Sequence, residues 1–256
     1  MPFTFAHPAI ILPLLKKPYK LFSATGLVIG SIIPDFESFI RLSEHKDYSH
    51  TWLGMFWFDL PLAIIVAFIF HDIVRDSVIN NLPASLQRRC MHFTGFQWNT
   101  YFRQHYIKII FSMLIGIALH LLWDALTHLN LANPDAIDSQ IYIGRFRLFK
   151  LLQNSNSIIG MLVIAIYIYY IPVKVKMQEP IGQMKFRIEV IPSKFAKLKY
   201  WALVCIVTVS AIFLIMWLIT RPMTMVLFID INISGTMVGF IVAGLVDIGK
   251  KYKGMN

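Results

Sequence analysis

The chain has 256 residues, of which 57% are hydrophobic and only 15% are charged, and its mean hydropathy is +0.61. Soluble domains carry about 25% charged residues, so this balance excludes an ordinary soluble fold. The net charge of +10 requires no nucleic-acid partner, because lysines and arginines collect in the cytoplasmic loops of membrane proteins. The composition predicts an all-α, polytopic transmembrane helical bundle.

Six apolar segments come near the length of about 20 residues that crosses a bilayer core. They cover residues 21–40, 52–70, 107–128, 157–172, 200–219 and 223–246. The first contains Gly26, Gly30 and Pro34 and carries a carboxylate at Asp35. The fourth is short, so either of these two segments is compatible with a partial or tilted insertion. The prediction is about six spans.

Two polar stretches separate the spans. Residues 72–104 alternate apolar anchors such as Ile79 and Phe96 with arginines, which is typical of an amphipathic segment on anionic lipid and predicts a cytoplasmic cap. Residues 172–199 are basic and predict a cytoplasmic loop. We therefore expect a single integral membrane domain, 1–256, with a core at 1–171, this loop, and a C-terminal helix pair at 200–256.

Lysine and arginine are unevenly distributed about these spans. If successive loops alternate sides, eighteen of the 24 basic residues fall on one side. The other side holds Arg41, Lys46, Arg145, Arg147, Lys150 and Arg221. Because basic residues accumulate on the cytoplasmic side, this pattern predicts a multi-pass protein of the inner (cytoplasmic) membrane with both termini in the cytoplasm.

Chemistry-bearing side chains lie at the ends of the predicted spans. Asp35 and Glu37 end the first span in GSIIPDFESF, and His50 begins the second in YSHTW. Either acid is also compatible with a helix end in water. His7 precedes the first span in MPFTFAHPA, and it reaches the other residues only if residues 5–15 enter the bilayer as a re-entrant segment.

The most informative motif is HLLWDALTH at the end of the third span. His120, Asp124 and His128 are four residues apart, so at about 100° per residue their side chains form one slanting stripe over two helical turns. Ionisable groups at membrane depth are costly unless they pair, face water or bind an ion. A single histidine at such a position more often forms a hydrogen bond to a neighbouring helix than binds a metal ion. For the three residues together, metal binding and hydrogen bonding between helices are equally good interpretations.

The three span ends meet on the side opposite the cytoplasm, which predicts one shared polar cluster. Imidazole nitrogens and carboxylate oxygens suit zinc, or manganese and magnesium where carboxylates dominate. In the predicted topology, Asp35, Glu37 and Asp124 lie close together. Arg41 is the one lysine or arginine that lies equally close to them. A divalent metal ion would balance their charge, so we predict such an ion as the cofactor.

Five ordered motifs resemble an uncharacterised bacterial family of polytopic membrane proteins, a domain of unknown function, over Met1 to about Ile171. The motifs are MPFTFAHPA, GSIIPDFESF, YSHTWLG, HLLWDALTH and FKLLQNSNSIIG. The layout is similar to that of predicted membrane-bound metal-dependent hydrolases. The resemblance implies a ligand set of His7, Asp35, His50, His120 and Asp124, with Glu37 and His128 as neighbours. Where a histidine and a glycine are expected after LLQ, this chain has Asn154 and Ser155, so no role is assigned there.

The chemistry that fits these residues is metal-assisted hydrolysis. His50, His120 and Asp124 would hold the ion, and Asp35 would be a further ligand or bridge. Glu37 would be the general base, its pKa raised by partial desolvation. A site at the outer leaflet favours membrane lipid as the partner and a lipid or lipid-linked ester or phosphoester as the substrate.

Two alternatives remain open at this point. In the first, the same groups form part of a transporter or a proton or cation pathway, which Asp59 and Asp230 continue across the bilayer. In the second, the protein is a non-catalytic membrane protein with a structural metal. Depth separates the first alternative from an enzyme, because a pathway needs ionisable groups through the full thickness of the bilayer.

Overall fold

The computed structural model describes residues 3–15, 21–43, 46–127, 142–143, 146–171, 193–220 and 222–253. Within these residues the fold is helical, apart from a short antiparallel pair of strands, β1 (Tyr142–Ile143) and β2 (Phe146–Arg147). Five helices are long and apolar enough to cross a membrane. The prediction of an all-α membrane protein is thereby confirmed.

The described helices come in the following order along the chain. Three short ones come first: α1 (Thr4–Leu15), α2 (Ala24–Gly30) and α3 (Phe36–Arg41). The long helices are α4 (Met55–Asn81), α6 (Trp98–Thr127), α7 (Leu148–Tyr169), α8 (Lys194–Leu218) and α9 (Met225–Lys253), and the short α5 (Ala84–Cys90) lies between the first two of them.

Residues 21–40, the first predicted span, form two short helices with a 3-10 turn at Ile33–Asp35 between them. The Ser23 hydroxyl accepts a hydrogen bond from the Gly26 N–H and caps the start of α2. Pro34 has no N–H to continue a helical ladder, and Leu42, at φ 51°, ends α3 in the left-handed region. The described residues therefore contain five membrane-length helices, where the sequence predicts about six.

The chain divides into two compact units. The first contains Met1–Phe68 and Gln97–Ile168, and the second contains Ile69–Phe96 and Tyr169–Asn256. In the second unit α8 packs on α9, where Gly235 and Gly239 lie against Thr208. Residues of the predicted cap up to Asn81 belong to α4, and the short α5 begins at Ala84.

Close packing of α2 against α6 organises the first unit. Small residues let the two backbones touch: a Cβ added at Gly30 would collide with the backbone of Met113, and one added at Gly116 would lie 2.5 Å from the Leu27 carbonyl oxygen. Such small-residue contacts are typical of helix packing in lipid. Leu27 and Met113 are fully buried here, and this contact fixes the height of α2 along α6.

Replacing Gly30 by alanine tests this contact. We expect Gly30→Ala to destabilise the protein by about 1–3 kcal/mol, because the new methyl group meets a backbone carbonyl that cannot rotate away. The measurement is the thermal unfolding midpoint in detergent micelles. Gly249→Ala in α9 is the matched control, since a Cβ there meets nothing within 4 Å; an equal loss of stability in both variants would contradict the packing argument.

Candidate metal centre

His120 lies at the centre of the polar cluster, in the last third of α6. Its side chain is fully buried, and its Nδ1 lies 2.8 Å from the Ser31 carbonyl oxygen at the end of α2. A carbonyl only accepts, so Nδ1 carries the hydrogen and a neutral ring presents the lone pair of Nε2. Among the described residues Nε2 has no hydrogen-bond partner, and it lies 3.7 Å from an oxygen of Asp35 and of Asp124.

Two buried carboxylates face this nitrogen. Asp35 is 2% exposed and Asp124 is 4% exposed. Asp35 ends the 3-10 turn after Pro34, and its Oδ2 accepts a hydrogen bond of 2.5 Å from the Thr4 hydroxyl. Asp124 lies one turn beyond His120 on α6, as its spacing in the sequence predicts. A bare nitrogen between two carboxylates is unfavourable without a positive charge nearby.

His50 approaches from the loop before α4. Its Nε2 lies 3.3 Å from Asp124 Oδ2 and 3.9 Å from Asp35 Oδ1, and its Nδ1 lies 3.0 Å from the Ser49 hydroxyl. The His50 side chain is 22% exposed, whereas that of His120 is fully buried. The cluster therefore opens toward its surroundings beside His50.

Four donor atoms from Asp35, His50, His120 and Asp124 lie within 4.8 Å of one another. The histidine–carboxylate distances among them run from 3.3 to 3.9 Å. Ligands around a tetrahedral zinc ion, at about 2.1 Å from it, are about 3.4 Å apart. The residues present therefore fit a divalent ion, with two imidazole nitrogens and two carboxylate oxygens as the donor set.

His7 also reaches this cluster. Helix α1 places its Nε2 3.2 Å from Asp124 Oδ1 and its Nδ1 3.1 Å from the Thr4 carbonyl oxygen. Its ring stacks on His120 with the centroids 4.0 Å apart. Metal-binding histidines commonly donate their outer N–H to a carbonyl in this way. His7 contacts the second oxygen of Asp124, outside the group of four donor atoms.

Contacts with α7 hold this N-terminal segment in place. The Phe3 N–H donates to the Ser157 hydroxyl at 2.8 Å, and Ala6 packs directly against Gly160. The charge pattern predicts a cytoplasmic N-terminus and a cluster on the opposite side. Since His7 touches Asp124, residues 3–7 lie at the same end of α6 as the cluster. A cytoplasmic N-terminus and a cluster on the opposite side are therefore incompatible with each other.

The Glu37 carboxylate binds the loop that leads to α4. Its buried carboxylate accepts hydrogen bonds from the backbone N–H groups of Asp47, Tyr48 and Ser49 and pairs with Arg41 at 2.5 Å. Burial raises the pKa of Glu37, but the bonds from Ser49, Arg41 and Tyr48 outweigh this and hold the pKa at about 2. The expectation of a raised pKa is wrong, because these hydrogen bonds stabilise the charged form of the carboxylate.

Lys46 is the residue that the sequence reasoning missed. Its ammonium donates to Asp35 Oδ1 and, at 3.2 Å, to His50 Nε2. The expectation that Arg41 is the one close basic residue is therefore wrong. A signal was present, since Lys46 is four residues before His50 and one of few basic residues on that side. His128 lies outside the described residues, and Asn154 is exposed near the start of α7.

These features define an integral membrane protein of apolar helices with a buried histidine–aspartate group able to hold a metal ion. The chain belongs to the family described as Domain of unknown function (DUF4184), which it matches over residues 1–248. The resemblance to a family without an assigned function is confirmed. Comparisons with curated proteins and with solved structures find no match.

Glu37→Gln tests the role of the Glu37 carboxylate as a loop clamp. We expect the loop at residues 46–50 to lose about 1.5–3 kcal/mol of local stability, because bonds to a charged acceptor are replaced by weaker ones. Amide hydrogen exchange of residues 47–49 measures this.

Asp47→Asn is the matched control for this experiment. Asp47 pairs with the same Arg41 at 2.6 Å, but its side chain is half exposed. Such a pair contributes little to stability, so loop protection should change far less than in Glu37→Gln. Unchanged exchange in the Glu37 variant would show that the loop is held by other contacts.

Proposed function

We propose that the protein is a membrane-embedded, metal-dependent hydrolase that acts on a lipid or lipid-linked ester or phosphoester. The observation that carries the proposal is the bare Nε2 of His120, which is buried and faces two carboxylates. A hydrogen bond network alone leaves this atom unsatisfied. A divalent ion satisfies it together with both acids.

The residues divide into those that hold the ion and those that orient them. Asp35, His50, His120 and Asp124 would hold it, while His7 fixes the second oxygen of Asp124. Zinc suits the two nitrogens and two oxygens, and manganese or magnesium is the alternative where more oxygens join. When bound, the ion lowers the pKa of a coordinated water and polarises the oxygen of the scissile group. His50 is partly exposed, so a substrate would approach the ion from the side of His50.

The depth of the ionisable groups favours an enzyme over a proton or cation pathway. On α6, residues 109–119 separate His120 from Lys108 without one ionisable side chain. On α4, residues 60–70 are likewise free of ionisable groups between Asp59 and His71. Eleven helical residues span about 16 Å, which is half of a bilayer core. A relay along α4 or α6 would have no ionisable groups over that distance.

The surroundings of His50 favour an amphiphilic substrate. Directly after it, Trp52 and Leu53 are each 73% exposed, and Phe56 and Trp57 are more than half exposed. Aromatic side chains of this kind sit at the level of lipid headgroups. A lipid could place its headgroup linkage at the cluster and its chains along these residues.

Metal analysis of the purified protein tests the site. We expect about one zinc or manganese ion per chain, and a loss of most of it in His120→Gln and Asp124→Asn, since each removes a ligand. His105→Gln is the matched control, because His105 is exposed on the same helix. Equal metal content in all of these proteins would remove the proposed site.

Activity is tested with long-chain phospholipids and short-chain soluble esters that share the same scissile groups. We expect hydrolysis of the long-chain substrates, its loss after treatment with a chelator, and its return with Zn²⁺ or Mn²⁺. His120→Gln should lower the rate by at least about 100-fold, because a ligand that fixes the ion is lost. Activity that survives both the chelator and this substitution would contradict a metal-dependent mechanism.

A further inference from the structure

The Lys46 ammonium occupies the position of a cation between two proposed metal ligands. It donates to Asp35 Oδ1 and to His50 Nε2, which are two of the four donor atoms of the candidate metal centre. Its side chain is 7% exposed, so the pair is shielded from water. A metal ion that coordinates His50 Nε2 must displace the ammonium from it, because an imidazole nitrogen has only one lone pair.

Asp59 presents the opposite situation, a buried acid without a hydrogen-bond partner. It is fully buried, and neither of its carboxylate oxygens has a hydrogen-bond partner among the described residues. It ends a π-helical turn, Met55–Asp59, at the start of α4. Such turns are rare and frequently occur at functional sites. The π-helical turn that ends at Asp59 contacts the 3-10 turn that ends at Asp35, so Asp59 is a neighbour of the cluster.

We propose that Lys46 is an internal cation that competes with the metal ion for Asp35 and His50, and that it moves to Asp59 when the metal binds. This inference rests on the proposed function, because it assumes a divalent ion at the cluster. It adds a device that sets the affinity of the site. Lys46 compensates the buried acids until the ion arrives, and Asp59 provides the ammonium with a second counter-ion.

The loop allows this exchange as a movement of one side chain. Glu37 fixes the backbone N–H groups of Asp47, Tyr48 and Ser49, so the loop itself stays in place. The lysine side chain is a flexible four-carbon stem that ends in a compact ammonium group. The ammonium can therefore exchange one hydrogen-bond acceptor for another by rotation of the side chain. If Lys46 stayed beside a divalent ion, three positive charges would face two carboxylates, and their mutual repulsion favours its departure.

A double-mutant cycle on metal affinity tests the proposal. The four proteins are the wild type, Lys46→Met, Asp59→Asn and the double variant, each titrated with Zn²⁺ against a chromophoric chelator. We expect Lys46→Met to bind Zn²⁺ about 5- to 150-fold more tightly, and Asp59→Asn to bind it more weakly by a factor in the same range. In the Lys46→Met background, Asp59→Asn should not change the Zn²⁺ affinity, because this protein has no Lys46 ammonium that could move to Asp59.

Three further variants keep the result interpretable. Lys46→Gln is a second neutral substitution and should also tighten binding, so a poorly folded methionine variant does not decide the outcome. Lys46→Arg keeps the charge and should stay near the wild-type affinity. Lys108→Met removes a lysine from the far part of α6 and should change nothing.

Two results would overturn the inference while leaving the metal site intact. One is unchanged or weaker Zn²⁺ binding in both neutral Lys46 variants, which would remove the competition. The other is an equal effect of Asp59→Asn in both backgrounds, which would remove Asp59 as the second position of Lys46. Failure of all the proteins to bind Zn²⁺ or Mn²⁺ would instead overturn the proposed function, and with it this inference.

Discussion

The burial of two carboxylates, Asp35 and Asp124, is the constraint on which the first unit depends. A charge held away from water is costly unless opposite charges and hydrogen-bond donors surround it. The chain brings these partners from distant stretches: Thr4 and His7 from α1, Lys46 and His50 from the loop before α4, and His120 from α6. Much of the local architecture follows from delivering these groups to one place.

The interruption of residues 21–40 is part of that delivery. An ending helix leaves carbonyl groups without intrahelical partners, and the Ser31 carbonyl, just past α2, accepts the Nδ1 hydrogen of His120. A continuous helix through Pro34 would have used this carbonyl internally. The break therefore fixes the orientation of the imidazole ring, and the glycine contacts between α2 and α6 fix its height. Packing and site chemistry share the same few residues.

The sequence predicted those parts of the site that depend on local spacing. The four-residue step from His120 to Asp124 guarantees a shared helix face, and the all-helical class follows from composition. Contacts between distant residues were beyond such reasoning. The approach of His7 depends on Ala6 packing against Gly160, more than 150 residues away, and the pairing of Lys46 with Asp35 depends on a loop whose path Glu37 determines. Neither contact leaves a periodic pattern.

The roles of Asp35 and Glu37 were nevertheless within reach of elementary geometry. The two acids are two residues apart, and on a helical turn this spacing points side chains about 200° apart. They cannot both face one cluster from one helical turn. In the structure Asp35 faces the histidines. Glu37 accepts hydrogen bonds from three backbone N–H groups of the loop that carries Lys46 and His50. One acid is available to a cation, and the other holds the loop from which two of the surrounding groups reach it.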